Sequence, residues 1–85
     1  MNYVIAVFSS RSEALRYANY LKRKSLPVAI VPTPKEAGRT CGLSVKFPYE
    51  FFNEAKVLLT DIRPSSFKGF FIEQNQGVNR SIFRA

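Results

Sequence analysis

Asn2-Tyr3-Val4-Ile5-Ala6-Val7-Phe8-Ser9-Ser10-Arg11-Ser12-Glu13-Ala14-Leu15 reads as a strand that passes straight into a capped helix. Residues 2–8 are β-branched, aromatic or small and are apolar on both faces, the pattern of a strand inside a sheet. Ser10 followed by Glu13 matches a capping box, with the Ser10 hydroxyl on the Glu13 amide and the Glu13 carboxylate reaching back to the Ser10 amide. Ala14, Leu15, Ala18 and Leu21 follow at helical spacing on one face. Lys22, Arg23 and Lys24 close the helix at its negative end, where cations are favoured.

Working outward, Pro27-Val28-Ala29-Ile30-Val31 predicts a second strand, its leading proline suited to a sheet edge. Thr33-Pro34-Lys35-Glu36 predicts a second capping box and one helical turn over 34–37, ended by Gly38. Gly42 to Phe47 alternates apolar and polar residues, as a strand covered on one face does. Pro48 opens a second helix whose buried stripe is Phe51, Ala55, Leu58, Leu59 and Ile62, and Pro64 ends it. Phe67 to Glu73 predicts a fourth strand. From Gln74 onward the chain is polar and basic, with Ile82 and Phe83 as its only anchors, so residues 74–85 read as a tail.

The order β-α-β-β-α-β gives an α+β fold, a ferredoxin-like sandwich of a four-stranded antiparallel-type sheet with two helices on one face. It places the ferredoxin-like domain at residues 1–73. Strands one and three are expected adjacent and parallel in the middle. On that arrangement the start of strand three shares an end of the sheet with the C-termini of both helices, so Lys22–Lys24, Arg63 and the start of the tail converge there.

Eighty-five residues make one domain, and a chain this short buries only about 60–65% of its unfolded surface. An apolar fraction of 46%, with eight Phe and four Tyr, suffices for one thin core. Thirteen Lys and Arg against six Asp and Glu give a formal charge of +7 and a pI near 10.0, which attracts anions. The cations are scattered, and no run reaches the length of a nucleic-acid patch. With one cysteine and no histidine, an internal disulfide, a cysteine-only zinc site, histidine metal sites, and Ser–His or Cys–His catalysis are all excluded. No metal or cofactor is implied. The first residues lack the leader and cleavage pattern of a signal peptide, and no apolar run is long enough to span a membrane. The expectation is a cytoplasmic protein of a reducing compartment.

The chemistry concentrates at residues 32–47. Cys41 sits at a loop-to-strand junction between Thr40 and Gly42; a glycine there lets a reactant or another backbone approach closely. Lys35 and Arg39 supply cations that favour the thiolate, the nucleophilic form. Pro32-Thr33-Pro34 is rigid turn chemistry that positions the loop. Tyr3, Phe8, Phe47, Phe70 and Phe71 suggest a base-stacking sheet, but the RNA-recognition signature is missing and Lys68-Gly69-Phe70-Phe71 is only a weak echo of it.

Pro-Thr-Pro at 32–34, Arg39, then Thr40-Cys41-Gly42-Leu43 and an alternating strand ending at Phe47-Pro48 resemble the selenium/sulfur carrier protein-like family of small bacterial and archaeal domains. The resemblance covers roughly residues 3–73. It implies that Cys41 bears a persulfide or selenide and that Gly42 and Pro32, Thr33 and Pro34 match the family's motif. It implies a stoichiometric carrier in place of a turnover enzyme, served by a protein donor (a cysteine desulfurase among the candidates) and a protein acceptor. Lys35 and Arg39 would stabilise the anionic species. The chain departs from the pattern in its basic balance and its tail. The alternative is a cationic ferredoxin-like module for nucleic acid or an acidic protein; assembly through the edges of strands two and four, or through the tail, is a third.

Overall fold

The computed structural model describes residues 1–38 and 42–85. Five strands form one antiparallel sheet: β1 (Asn2–Phe8), β2 (Ala29–Pro32), β3 (Leu43–Pro48), β4 (Phe67–Gln76) and β5 (Asn79–Arg84), in the spatial order β2-β3-β1-β4-β5. Two α-helices, α1 (Arg11–Arg23) and α2 (Phe52–Ile62), follow β1 and β3. Short 3-10 turns occupy Lys35–Ala37 and Tyr49–Phe51. The α+β class stands, but the four-stranded sheet does not, because residues expected in the tail build the end of β4 and all of β5.

The reason lies in backbone pairing. Gln76 pairs with Asn79 across Gly77 and Val78, and Gly77 has φ +59°, the left-handed conformation that the first residue of a tight two-residue hairpin takes most readily as glycine. β5 then bonds along β4 from Asn79 to Arg84. As an edge strand it buries little, so its side chains are mostly polar and its hydropathy is that of a loop. The same hairpin covers the outer edge of β4, so the sheet's edges are β2 and β5.

β1 and β3 are adjacent, as expected, but antiparallel, with Tyr3 opposite Pro48 and Val7 opposite Ser44. The α1 crossover returns β2 in the direction of β1, and the β2–β3 connection reverses it again. The start of β3 therefore lies at the end of the sheet where β1 finishes and α1 begins, not where α1 ends. α1 has 13 residues and carries Lys22–Lys24 roughly 20 Å from that end at 1.5 Å per residue. Gln74 pairs with Asn2 at the far end as well. Of the expected convergence only Arg63, just beyond α2, shares the end with the start of β3.

The helix-covered face holds the main core: Val4, Ala6, Phe8, Val45, Phe47 and Ile72 from the sheet meet Ala14, Tyr17, Ala18 and Leu21 of α1 and Ala55 of α2. The α2 stripe read from sequence packs there too. On α1 Tyr17 is buried beside Ala14, Ala18 and Leu21, its hydroxyl donating to the Ala55 carbonyl at 2.8 Å, while Leu15 is exposed. The Ser10 hydroxyl does accept from the Glu13 amide, but the Glu13 carboxylate leaves the capping box. It accepts instead from the amides and hydroxyls of Ser65 and Ser66. The Ser66 bonds hold its carboxyl below the usual range and staple the start of α1 to the approach to β4.

Candidate functional site

Neither α1 nor α2 covers the opposite face of the sheet. Ile5, Val7 and Phe71 are buried on it, packed by Val31, Ala37 and Ile82. Ala37 belongs to the 3-10 turn between β2 and β3, so this connection folds back over the bare face and touches β5. Its beginning and its return are fixed together. The Thr33 amide donates to the Gly42 carbonyl at 3.1 Å, and the Thr33 and Ser44 hydroxyls share a hydrogen bond of 2.8 Å. The turn starts one residue later than the capping box expected at Thr33: its N-cap residue is Pro34, which makes no side-chain cap. Gly38 ends the turn with φ +81°, a conformation costly for any residue with a Cβ.

The residues singled out from sequence fall on this connection. Pro32 pairs with Leu43 at the end of β2, Pro34 leads the turn and Lys35 stands exposed on it. Gly42 is exposed, and among the described residues no atom beyond its chain neighbours lies within 4 Å of where its Cβ would be. Neither a left-handed φ nor packing accounts for the glycine. Cys41, Arg39 and Thr40 lie outside the described residues.

Beside the connection runs a cleft of about 360 Å³ lined by Ile5, Val31 and residues 32–34 and by three charged side chains, Lys46, Glu73 and Arg80. Glu73 is 3% exposed. Lys46 donates to its Oε2 at 3.1 Å and Arg80 to its Oε1 at 3.2 Å, while the Asn75 side-chain amide adds a bond at 3.0 Å. Burial alone would raise the Glu73 carboxyl, but the Asn75, Lys46 and Arg80 bonds outweigh it and hold it below the usual carboxylate range. The Lys46 ammonium also lies 4.4 Å from the centre of the Tyr3 ring, a favourable cation–π contact.

Sequence reading missed this cluster. Its members come from β3, β4 and β5, and only the register brings them together. One signal was available: Ser44 and Lys46 alternate with the buried Val45 and Phe47, and so had to face away from the helices. The aromatic residues weighed as a stacking face divide between the two sides. Phe8 and Phe47 are buried under the helices and Phe70 packs there, whereas Phe71 lies under the 3-10 turn and β5, which leaves no open aromatic platform of that composition.

Residues 3–67 match the family described as Putative Se/S carrier protein-like. No curated protein and no solved structure matches the chain.

Proposed function

The chain belongs to this Se/S carrier protein-like family, matched over residues 3–67, and from that premise we propose that Cys41 carries sulfur or selenium between protein partners. The observation that carries the reading is the family match itself, whose span contains the only cysteine of the chain. The geometry around the segment supports it: Thr33 is tied to both Gly42 and Ser44, so the two ends of the segment that contains Cys41 are held together on a rigid sheet.

In this mechanism the Cys41 thiolate attacks the terminal sulfur of a donor persulfide R–S–SH. The donor S–S bond breaks, R–S⁻ leaves, and Cys41–S–SH forms, with no change in overall oxidation state. An acceptor thiolate then attacks the same outer sulfur and Cys41 leaves as thiolate. A donor R–S–SeH delivers selenium by the same exchange. Lys35 and Arg39 stabilise the anions, Pro32, Thr33 and Pro34 position the segment, and Gly42 leaves room for the partner's sulfur.

The test is intact mass under non-reducing conditions after incubation with cysteine and a cysteine desulfurase, wild type beside Cys41→Ala. The expected result is one added sulfur atom on wild type alone, removed by a reductant. No gain, together with a thiol that resists alkylation in the folded protein, overturns the reading.

A second reading, a cationic surface for nucleic acid or an acidic protein, draws on the far end of α1. There Arg23 and Lys24 lie 5.6 and 5.5 Å from the centre of the Tyr20 ring, next to Lys22. It requires binding to an oligonucleotide or acidic peptide that weakens steeply with salt, falls when these three cations are replaced by Gln, and ignores Cys41→Ser.

A further inference from the structure

The Lys46–Glu73–Arg80 cluster makes more of the cleft than a brace between strands. Two cations share one buried carboxylate, so the cluster keeps one net positive charge. Lys46 and Arg80 side chains are 26% and 59% exposed, against 4% for Glu73: the acid is sealed and the cations face the cleft. Among the described residues Arg80 spends one guanidinium nitrogen on Glu73 and Lys46 makes one hydrogen bond, also to Glu73. A guanidinium has five donors and an ammonium three, so most of this donor capacity is uncommitted.

The spacing of the two cations is one carboxylate wide, since the two oxygens of Glu73 already span it. Beyond the charges the lining is Thr33 with the apolar Ile5, Val31 and the two stiff prolines Pro32 and Pro34. A volume of about 360 Å³, with apolar side chains on one part of the lining and convergent polar groups on the other, suits a small amphipathic molecule.

We propose that this cleft binds a small organic acid, its carboxylate on Lys46 and Arg80 and its short apolar part against Ile5, Val31, Pro32 and Pro34. Glu73 does not touch the ligand. It is a positioning residue that fixes the two cations before the ligand arrives, which lowers the ordering cost of binding. The inference does not depend on sulfur transfer and involves no reaction at Cys41.

The experiment is a backbone amide NMR titration of the Cys41→Ala protein, which removes thiol chemistry, with isobutyrate, with its neutral isostere isobutyramide, and with sulfate at matched ionic strength. Isobutyrate should shift the amides of residues 31, 33, 46 and 73 in a saturable way, isobutyramide should not, and sulfate should bind at least several-fold more weakly. Arg80→Gln should weaken isobutyrate by about tenfold or more, as expected for losing a charge-assisted hydrogen bond, and Arg80→Lys should restore part of it. If Arg80→Gln disrupts the β4–β5 pairing, Lys46→Gln provides the same reading from β3. Equal binding of isobutyramide, sulfate as tight as isobutyrate, shifts that grow linearly without saturation, or unchanged affinity in both charge variants would each overturn the proposal. Unchanged binding between wild type and Cys41→Ala separates it from the carrier reading, whose failure leaves this site intact.

Discussion

The two faces of the sheet are built from alternate residues of the same strands, yet they differ in kind. Under the helices, Val4, Ala6, Phe8, Val45 and Phe47 form a dry layer closed by Tyr17 and Leu21. On the bare face the buried apolar residues, among those described, are Ile5, Val7 and Phe71, and Ser44 and the ionised Glu73 are buried among them. The first face is held by area removed from water, a force without direction. The second is held by hydrogen bonds and ion pairs with direction, which is costly when a partner is missing. The first face makes the domain stable; the second is where the 3-10 turn after β2, the charged cleft and the edge hairpin meet.

The comparison breaks most visibly at its strong side. Phe8 is fully buried and packs its ring 5.5 Å from Tyr17 and 5.4 Å from Phe67. Phe8→Ala should cost about 3–5 kcal/mol, a large part of the roughly 5–15 kcal/mol available to a domain. Urea unfolding would show the loss as a lower midpoint, with all probes moving together. A loss below about 1 kcal/mol would mean that the helix-covered face does not dominate stability.

On the bare face the expected effect is smaller and local. Glu73→Ala leaves Lys46 and Arg80 without their shared acceptor. Breaking a fully buried pair costs about 3–5 kcal/mol, but these cations are 26% and 59% exposed, so about 2 kcal/mol is expected after solvent screening. Amide hydrogen exchange should speed up most in residues 79–84, because β5 loses the Arg80 tie to β4 and keeps its backbone bonds and the Arg84 bond to the Lys68 carbonyl. Uniform acceleration across β1 and β3 instead would show that the two faces unfold as one unit.

The same carboxylate sets a pH dependence. Its native value lies below the ordinary 4.5, so the unfolded chain takes up the proton first as pH falls. The stability Glu73 contributes is thus present above that ordinary value and is lost as pH drops through the depressed native one. Wild type should lose more stability than Glu73→Gln across that interval. Glu13, lowered by its Ser66 bonds, titrates nearby, so the comparison is best made in a Glu13→Gln background. Parallel pH curves for the two proteins would remove Glu73 from the account.

What was legible in the chain follows the same division. The strand–helix start at residues 2–23, the helix opened by Pro48 and its stripe from Phe51 to Ile62 all rest on periodic burial of apolar groups, which hydropathy records directly. β5 was not legible because its stability comes from pairing to β4; of its side chains only Ile82 is half-buried, and the Gly77-Val78 turn looks like loop composition. The antiparallel setting of β1 and β3 was within reach, since a crossover followed by a reversal fixes it, and the expectation of parallel strands misplaced Lys22–Lys24 with respect to the start of β3. Cys41 and its neighbours stood out as a motif, whereas Lys46, Glu73 and Arg80 come from three strands and needed the register of three pairings, β3–β1, β1–β4 and β4–β5, to meet.

The smallest effect tests whether the connection carrying the motif is held as a unit with the bare face. Thr33 and Ser44 share one hydroxyl hydrogen bond of 2.8 Å, and Ser44 is fully buried. Thr33→Val keeps the shape and removes the hydroxyl; Ser44→Ala removes its partner. Each single change leaves a polar atom without this bond and should cost about 1 kcal/mol. The double change should cost less than the sum, with a coupling of about 0.5–1 kcal/mol, because the second substitution removes one end of a bond that the first has already broken. If the bond also orders the segment that contains Cys41, both single variants should change the alkylation rate of the thiol by the same factor, and the double variant by no more. Additive stabilities with an unchanged thiol rate would mean that the Thr33 amide bond to Gly42 holds the connection by itself, and that the hydroxyl pair only satisfies a buried serine.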